Sequence, residues 1–117
     1  MALKEKALKR LAEKLNQAGL VWAVGGDWAR FQRGQMTQYH TFDIAAENPA
    51  AADAILTRLG MRHLEEVSSG LLASYHFDGA DIRLSSEALR PEAVAETVTV
   101  LGQAVPLMAA EDVRREG

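Results

Sequence analysis

Apolar residues recur at helical spacing over residues 2–18. Leu8, Leu11 and Leu15 form the stripe, Leu3 and Ala18 extend it, and Lys6, Lys9, Lys14 and Gln17 face away. Gly19 follows as the residue that ends the helix. An almost wholly apolar run at 21–24 suits a buried strand. Gly25-Gly26 then permits a tight turn, and residues 27–34 fit a short helix. Residues 35–41 have no period and are expected as a loop. A second strand is expected at 42–46, with Asp43 between Phe42 and Ile44. Asn48 as N-cap and Pro49 at the first helical position open another helix, with Ala52, Ile55, Leu56 and Leu59 as its buried stripe and Gly60 as its stop.

The second half alternates instead. Residues 61–67 suit an edge or mostly exposed strand, because His63, Glu65 and Glu66 interrupt it. Residues 71–77 and 80–84 flank Asp78-Gly79, a strong hairpin signal. The predicted register pairs Phe77 with Ala80, Tyr75 with Ile82 and Ala73 with Leu84 on the apolar face. On the other face it sets His76 against Asp81 and Ser74 against Arg83. Residues 87–96 are expected as a loop or a short helix broken by Pro91. A second hairpin is expected at 98–101 and 104–107 around Gly102-Gln103, its last strand held to an edge by Pro106. Residues 109–116 suit a short charged helix or a frayed tail. The order α-β-α-β-α-β followed by hairpins predicts one α+β domain over residues 1–117, a small mixed sheet with helices packed against one side.

Composition narrows the classes. At 117 residues and 48% hydrophobic, the chain can bury a core without covalent staples. It has no cysteine, which excludes disulfides and thiolate metal sites and fits a cytoplasmic location. The apolar runs are too short for a membrane span or a signal peptide. A net charge of −3 argues against a dedicated nucleic-acid binder. The charge is uneven: Lys4, Lys6, Lys9, Arg10 and Lys14, against Glu5 and Glu13, leave the first fourteen residues at +3 and the remainder at −6. A solvated helix face accounts for that run.

Strand, glycine pair, helix, then a strand bearing an aspartate resembles the opening of the nucleotidyltransferase fold, shared by DNA polymerase β and the small antibiotic-modifying nucleotidyltransferases. The resemblance covers about residues 20–84. Gly25-Gly26-Asp27-Trp28-Ala29 is similar to the Gly-Gly-Trp-Ala opening of the lincosamide and aminoglycoside enzymes with one residue added. Thr37-Gln38-Tyr39-His40 is similar to their Thr-Arg-x-His, with Gln38 for arginine. The minimal pattern Arg-x-Thr-x-Asp keeps Thr41 and Asp43, with Tyr39 at the arginine. The tail from Val105 to Asp112 is similar to the segment that follows in minimal forms.

The resemblance implies nucleoside monophosphate transfer from a nucleoside triphosphate, with Mg²⁺. In such chemistry the backbone N–H groups of the glycine turn hold phosphates, and carboxylates hold two metals that activate the acceptor hydroxyl and neutralise pyrophosphate. Gly25, Gly26 and Asp27 would then lie at the nucleotide, although the Asp27 carboxylate would cap the helix and compete with an anion. Asp43 matches the first carboxylate of Asp-x-Asp, and Asp81 matches the third. Ala45 stands at the second. Glu47, on the same strand face as Asp43, would replace it if the strand continued toward the site. Two classes of function follow: a catalytically impaired protein that binds a nucleotide or a partner, and an active metal-dependent transferase acting on a small molecule or protein. An α+β interaction domain without nucleotide is the third. Minimal forms pair with a separate helical protein, so the resemblance extends to such a partner. Asp43 as a solvent-facing aspartate, His76–Asp81 as a plain cross-strand pair, Trp22 and Trp28 as core, and Tyr39 and His40 as loop surface are the plain structural readings.

Overall fold

The computed structural model describes residues 3–63 and 70–109. Helix α1 spans Leu3–Gln17, α2 Gly26–Gln32 and α3 Pro49–Thr57. The strands are β1 Trp22–Gly25, β2 Thr41–Ala46, β3 Met61–His63, β4 Leu71–Phe77, β5 Ala80–Ala88, β6 Val94–Val100 and β7 Gln103–Met108. They form one mixed sheet in the order β3-β4-β5-β2-β1-β7-β6, with β2–β5 and β1–β7 parallel and the other pairs antiparallel. Of the strand expected at 61–67, β3 covers 61–63 and residues 64–67 lie outside the described residues, as do residues 110–116 of the tail expected at 109–116.

The core lies on one face of this sheet. Trp22 and Val24 of β1, Phe42, Ile44 and Ala46 of β2, Tyr75 and Phe77 of β4, and Ile82 and Leu84 of β5 meet Leu8, Leu11 and Leu15 of α1, Trp28 of α2 and Leu56 of α3. Alternation along each strand put these residues on one side, so the amphipathic helices cover that side. Both tryptophans are core, and Trp28 packs edge-on against Phe42 at 5.9 Å.

Local signals act as their chemistry requires. Gly19, at φ +71°, closes α1: its N–H bonds to the Asn16 carbonyl and that of Leu20 to the Leu15 carbonyl. The chain turns away there, so Ala18 is exposed instead of extending the stripe. The Asn48 side chain accepts from the Ala51 N–H at 3.2 Å, with Pro49 at the first turn of α3. Gly60 has a further reason to be glycine: a Cβ there would lie 2.4 Å from the Phe77 Cβ. The β4–β5 register is the expected one, with positive φ at Asp78 and Gly79. Arg10 ties α1 to that turn through a 2.8 Å ion pair with Asp78.

The C-terminal hairpin departs from expectation. Its loop is Leu101-Gly102, both at positive φ, one residue earlier than Gly102-Gln103. The inward set Val98, Val100, Val105 and Leu107 fixes this register, since a one-residue slip would turn every side chain to the wrong face. Pro106 is not on an edge strand, because β7 lies between β1 and β6. Counted from the two-residue loop, Thr97↔Pro106 is a non-hydrogen-bonded pair, and β1 meets β7 at Val24↔Leu107, so no ladder bond needs the missing N–H. Residues 87–96 hold the end of β5, a 3-10 turn at Pro91–Ala93 and the start of β6, in place of a loop or helix.

Candidate functional site

The helix-free face of β2, β5 and β4 carries the polar residues. Asp43 is the central one. It faces Gly25 across the β1–β2 ladder, and its carboxylate lies against the α-carbon of Gly26. A Cβ on Gly26 would come 2.0 Å from the Asp43 Oδ2, and Gly26 has φ +58°, so space and backbone both require glycine. Gly25 is the residue before α2, in extended conformation, with no side-chain cap. Asp27 does not cap the helix as the sequence suggested. It lies in the first turn and reaches Arg30 at 3.7 Å, an i,i+3 pair that draws its carboxylate along the helix.

Burial pushes the Asp43 carboxyl above the usual carboxylate range. The nearby Arg83 guanidinium pulls it back, the Asp27 charge raises it further, and Arg30 pulls it down. A half-buried carboxylate raised by its surroundings is a common mark of functional sites, though structural pairs also produce one.

Asp81 shares the sheet and the face with Asp43, as expected, but not its register. The parallel β2–β5 ladder sets Thr41 beside Asp81 and Asp43 beside Arg83. One strand spacing and two residues then separate the two aspartates, about 8 Å between α-carbons. Asp81 is exposed, and its Oδ1 lies 2.8 Å from the His76 Nδ1. Ala45, at the place of the missing carboxylate, is sealed: it packs with Ala23, Leu89 and Ala93 in a second small cluster. The Leu89 N–H to the Ala46 carbonyl (2.9 Å) and the Ala109 N–H to the Ala93 carbonyl (2.7 Å) anchor that cover at both ends.

Glu47 does not reach the site. The β2–β5 register shifts between Ile44 and Ala46, β2 ends at Ala46, and Glu47 is an exposed residue whose N–H bonds to the Val21 carbonyl. That bond continues the β1–β2 register by one pair, so Glu47 keeps the strand face of Asp43 but stands four residues along it, about 13 Å away between α-carbons. Among the described residues, no three His, Asp or Glu side chains converge as a metal-binding group. One partly buried carboxylate with a guanidinium in register does not fit a two-metal centre, which needs several anionic oxygens aimed at one point.

Tyr39 is half-buried against Phe31 and Phe42, with the Lys4 ammonium 5.6 Å from its ring, while His40 is exposed. Burial and the Glu5 charge raise the Tyr39 hydroxyl above its ordinary value. Arg83, Arg30, Leu89 and Ala93 are the site residues that sequence reasoning missed. The i,i+3 spacing of Asp27 and Arg30 was available to it; the parallel register that brings Arg83 to Asp43 was not.

The chain has a nucleotidyltransferase-like fold. A Thermotoga maritima protein, TM1012, described as a candidate nucleotidyltransferase, superposes with a TM-score of 0.74 at 12% identity, over 95% of this chain and 80% of that one. The antibiotic-resistance factor ANT(2'')-Ia in solution matches with a TM-score of 0.68 at 17% identity, over 93% of this chain and 66% of its own. The same protein in complex with adenylyl-2''-tobramycin matches at 0.65 and 17%, over 90% and 68%. At these identities the likeness is one of fold. No family model and no curated protein matches the sequence. Among the described residues no helix is long and apolar enough to cross a membrane.

Proposed function

We propose that this chain is a nucleotidyltransferase-like protein that binds a nucleotide and does not carry out two-metal transfer. The observation that carries this reading is the donor set on the polar face: Asp43 stands beside Arg83, Asp81 is engaged by His76, and the position of the second carboxylate is Ala45, closed under Leu89 and Ala93. The reading is supported by the glycine turn that the resemblance assigns to the nucleotide, with Gly25 ahead of α2, Gly26 as its first residue and Asp43 against Gly26. The ANT(2'')-Ia complex, whose ligand carries an adenylyl group, supports a nucleoside triphosphate as the ligand class.

Titration with ATP, followed by amide NMR shifts, tests it. Shifts are expected at Gly25, Gly26, Asp27, Asp43 and Arg83, with no label passing from α-labelled ATP to a small molecule, a protein or the chain itself. Robust label transfer abolished by Asp43→Asn would establish the active transferase instead. Absence of shifts at millimolar ATP would leave an α+β interaction domain, whose partners are proteins.

A further inference from the structure

The pairing of Asp43 with Arg83 has consequences for how an anion is neutralised at this site. Side chains at paired positions of neighbouring strands project to the same face about 5 Å apart. A divalent cation on Asp43 would therefore meet a guanidinium where a second carboxylate belongs. The remaining oxygens do not compensate: Asp81 is a register step away and held by His76, and the Ala45 position is sealed. Arg83 is exposed, so its fork of N–H donors opens to solvent on the polar face. A planar guanidinium matches phosphate oxygens in pairs, and its charge does not titrate away at any physiological pH.

We propose that phosphate groups at this site are neutralised by the Arg83 guanidinium and not by a divalent cation. The proposal rests on the nucleotide reading above for its ligand, and on the strand register for its chemistry. Asp43, its partner across the β2–β5 ladder, supplies the opposite charge beside it and lies against Gly26.

Calorimetric titration of the full chain with ATP, in excess Mg²⁺ and in EDTA, tests this. The wild-type dissociation constant is expected to agree within about threefold between the two buffers, where a metal-bridged ligand would lose binding in EDTA by orders of magnitude. Arg83→Gln should weaken binding in EDTA by about tenfold or more. Arg83→Asp, which puts a carboxylate in register with Asp43, should bind no ATP in EDTA and recover part of the affinity with Mg²⁺. Lys9→Gln, on the exposed side of α1, removes a charge elsewhere and should leave affinity unchanged. Circular dichroism confirms the fold of each variant.

Wild-type binding that is strong in Mg²⁺ and lost in EDTA overturns the proposal and leaves the nucleotide reading standing. So does unchanged affinity in Arg83→Gln. If ATP binds in neither buffer, inorganic pyrophosphate in EDTA is the probe: Arg83-dependent binding keeps the inference and removes the nucleotide, and no binding overturns both.

Discussion

The two faces of β2 differ in how far they keep the pattern of the fold. On one face Phe42, Ile44 and Ala46 are buried against α1, α2 and α3, and every neighbouring strand supplies an apolar residue to match. On the other face Thr41, Asp43 and Ala45 meet three unlike surroundings: Asp81 and His76 toward one end, Arg83 and Gly26 in the middle, and the apolar cover of Leu89 and Ala93 at the other end. The apolar face is under a packing constraint that tolerates few changes, since a core is close-packed and loses stability with each misfit. The polar face is under no such packing constraint outside the Leu89–Ala93 cover. Its residues are free to change when the ligand chemistry changes, and a nucleotidyltransferase-like fold can survive with a rewritten donor set.

The junction between the two faces is Gly26, and its loss should have the largest effect. Gly26→Val forces a β-branched residue into φ +58° and drives a side chain into the Asp43 carboxylate, 2.0 Å from where its Cβ would lie. The left-handed conformation alone costs about 1–2 kcal/mol or more, and displacement of Asp43 or α2 adds to it. Thermal unfolding should show a total of several kcal/mol, among the larger single-residue effects. If Gly26→Val melts within a degree of the wild type, Asp43 is not packed against the turn.

Ala45→Asp should be next, and it separates the two readings of the missing carboxylate. If Ala45 faced an open site, aspartate there would strengthen Mg²⁺ binding at little cost. It faces Ala23, Leu89 and Ala93 and is 7% exposed, so the new carboxylate would be buried without a partner. A cost of about 3 kcal/mol and a fall in melting temperature on the order of 10 °C are expected, with no gain in Mg²⁺ affinity. A stable variant that binds Mg²⁺ would show that the cover opens.

How much of this was legible in the chain follows from the range of each signal. The α1 cap, the Asn48-Pro49 start of α3 and the Asp78-Gly79 hairpin are set by residues within a few positions of each other, and local pattern was sufficient for them. Alternation also put Asp43 and Asp81 on one face of one sheet, because inward neighbours fix outward ones. The β2–β5 register is a different matter. It joins strands separated by α3, β3 and β4, and it decides whether Asp43 stands beside Asp81 or Arg83. The Leu89–Ala93 cover was equally silent, since nothing near Ala45 announces it. Pro106 shows a local rule overridden: proline in a strand suggests an edge, but its non-hydrogen-bonded pair asks for no N–H on the β6 side, and the β1–β7 ladder, the single pair Val24↔Leu107, asks for none on the other.

The C-terminal hairpin offers a smaller test. Arg33, just after α2, donates to both Glu96 carboxylate oxygens at 3.2 and 2.8 Å and to the Met108 carbonyl. It joins α2 to β6 and β7, where the β1–β7 ladder contributes the single pair Val24↔Leu107. Arg33→Ala should lower hydrogen-exchange protection of β6 and β7 amides and leave β4 and β5 unchanged. The cause lies in a local opening of a weakly laddered hairpin and not in the core. Equal loss across the whole sheet would show that the hairpin opens only with global unfolding.

Asp43→Asn should be the mildest of the four, and its sign is the informative part. Burial raises the Asp43 carboxyl, with Asp27 adding to the rise and Arg83 and Arg30 opposing it. Folding therefore disfavours the charged form: the carboxyl stabilises the fold fully below its unfolded pKa, and that contribution is lost as pH rises through the higher folded value. Glu96 has the opposite sign. Its hydrogen bond from Arg33, aided by its own backbone hydrogen bond, lowers it, so its contribution is present above the unfolded pKa and is lost as pH falls through the folded value. Asparagine at 43 keeps the shape and removes the charge. At neutral pH it should raise the melting temperature slightly, and the gain should shrink toward zero as pH falls through the raised Asp43 value toward the ordinary aspartate value of about 3.9. Glu96→Gln should lower stability at neutral pH, with the loss vanishing in acid. Melting curves of both variants between neutral and acid pH read the two signs directly. If Asp43→Asn is destabilising at neutral pH, the attraction of Arg83 and Arg30 outweighs burial, and the charged carboxylate does not strain the fold.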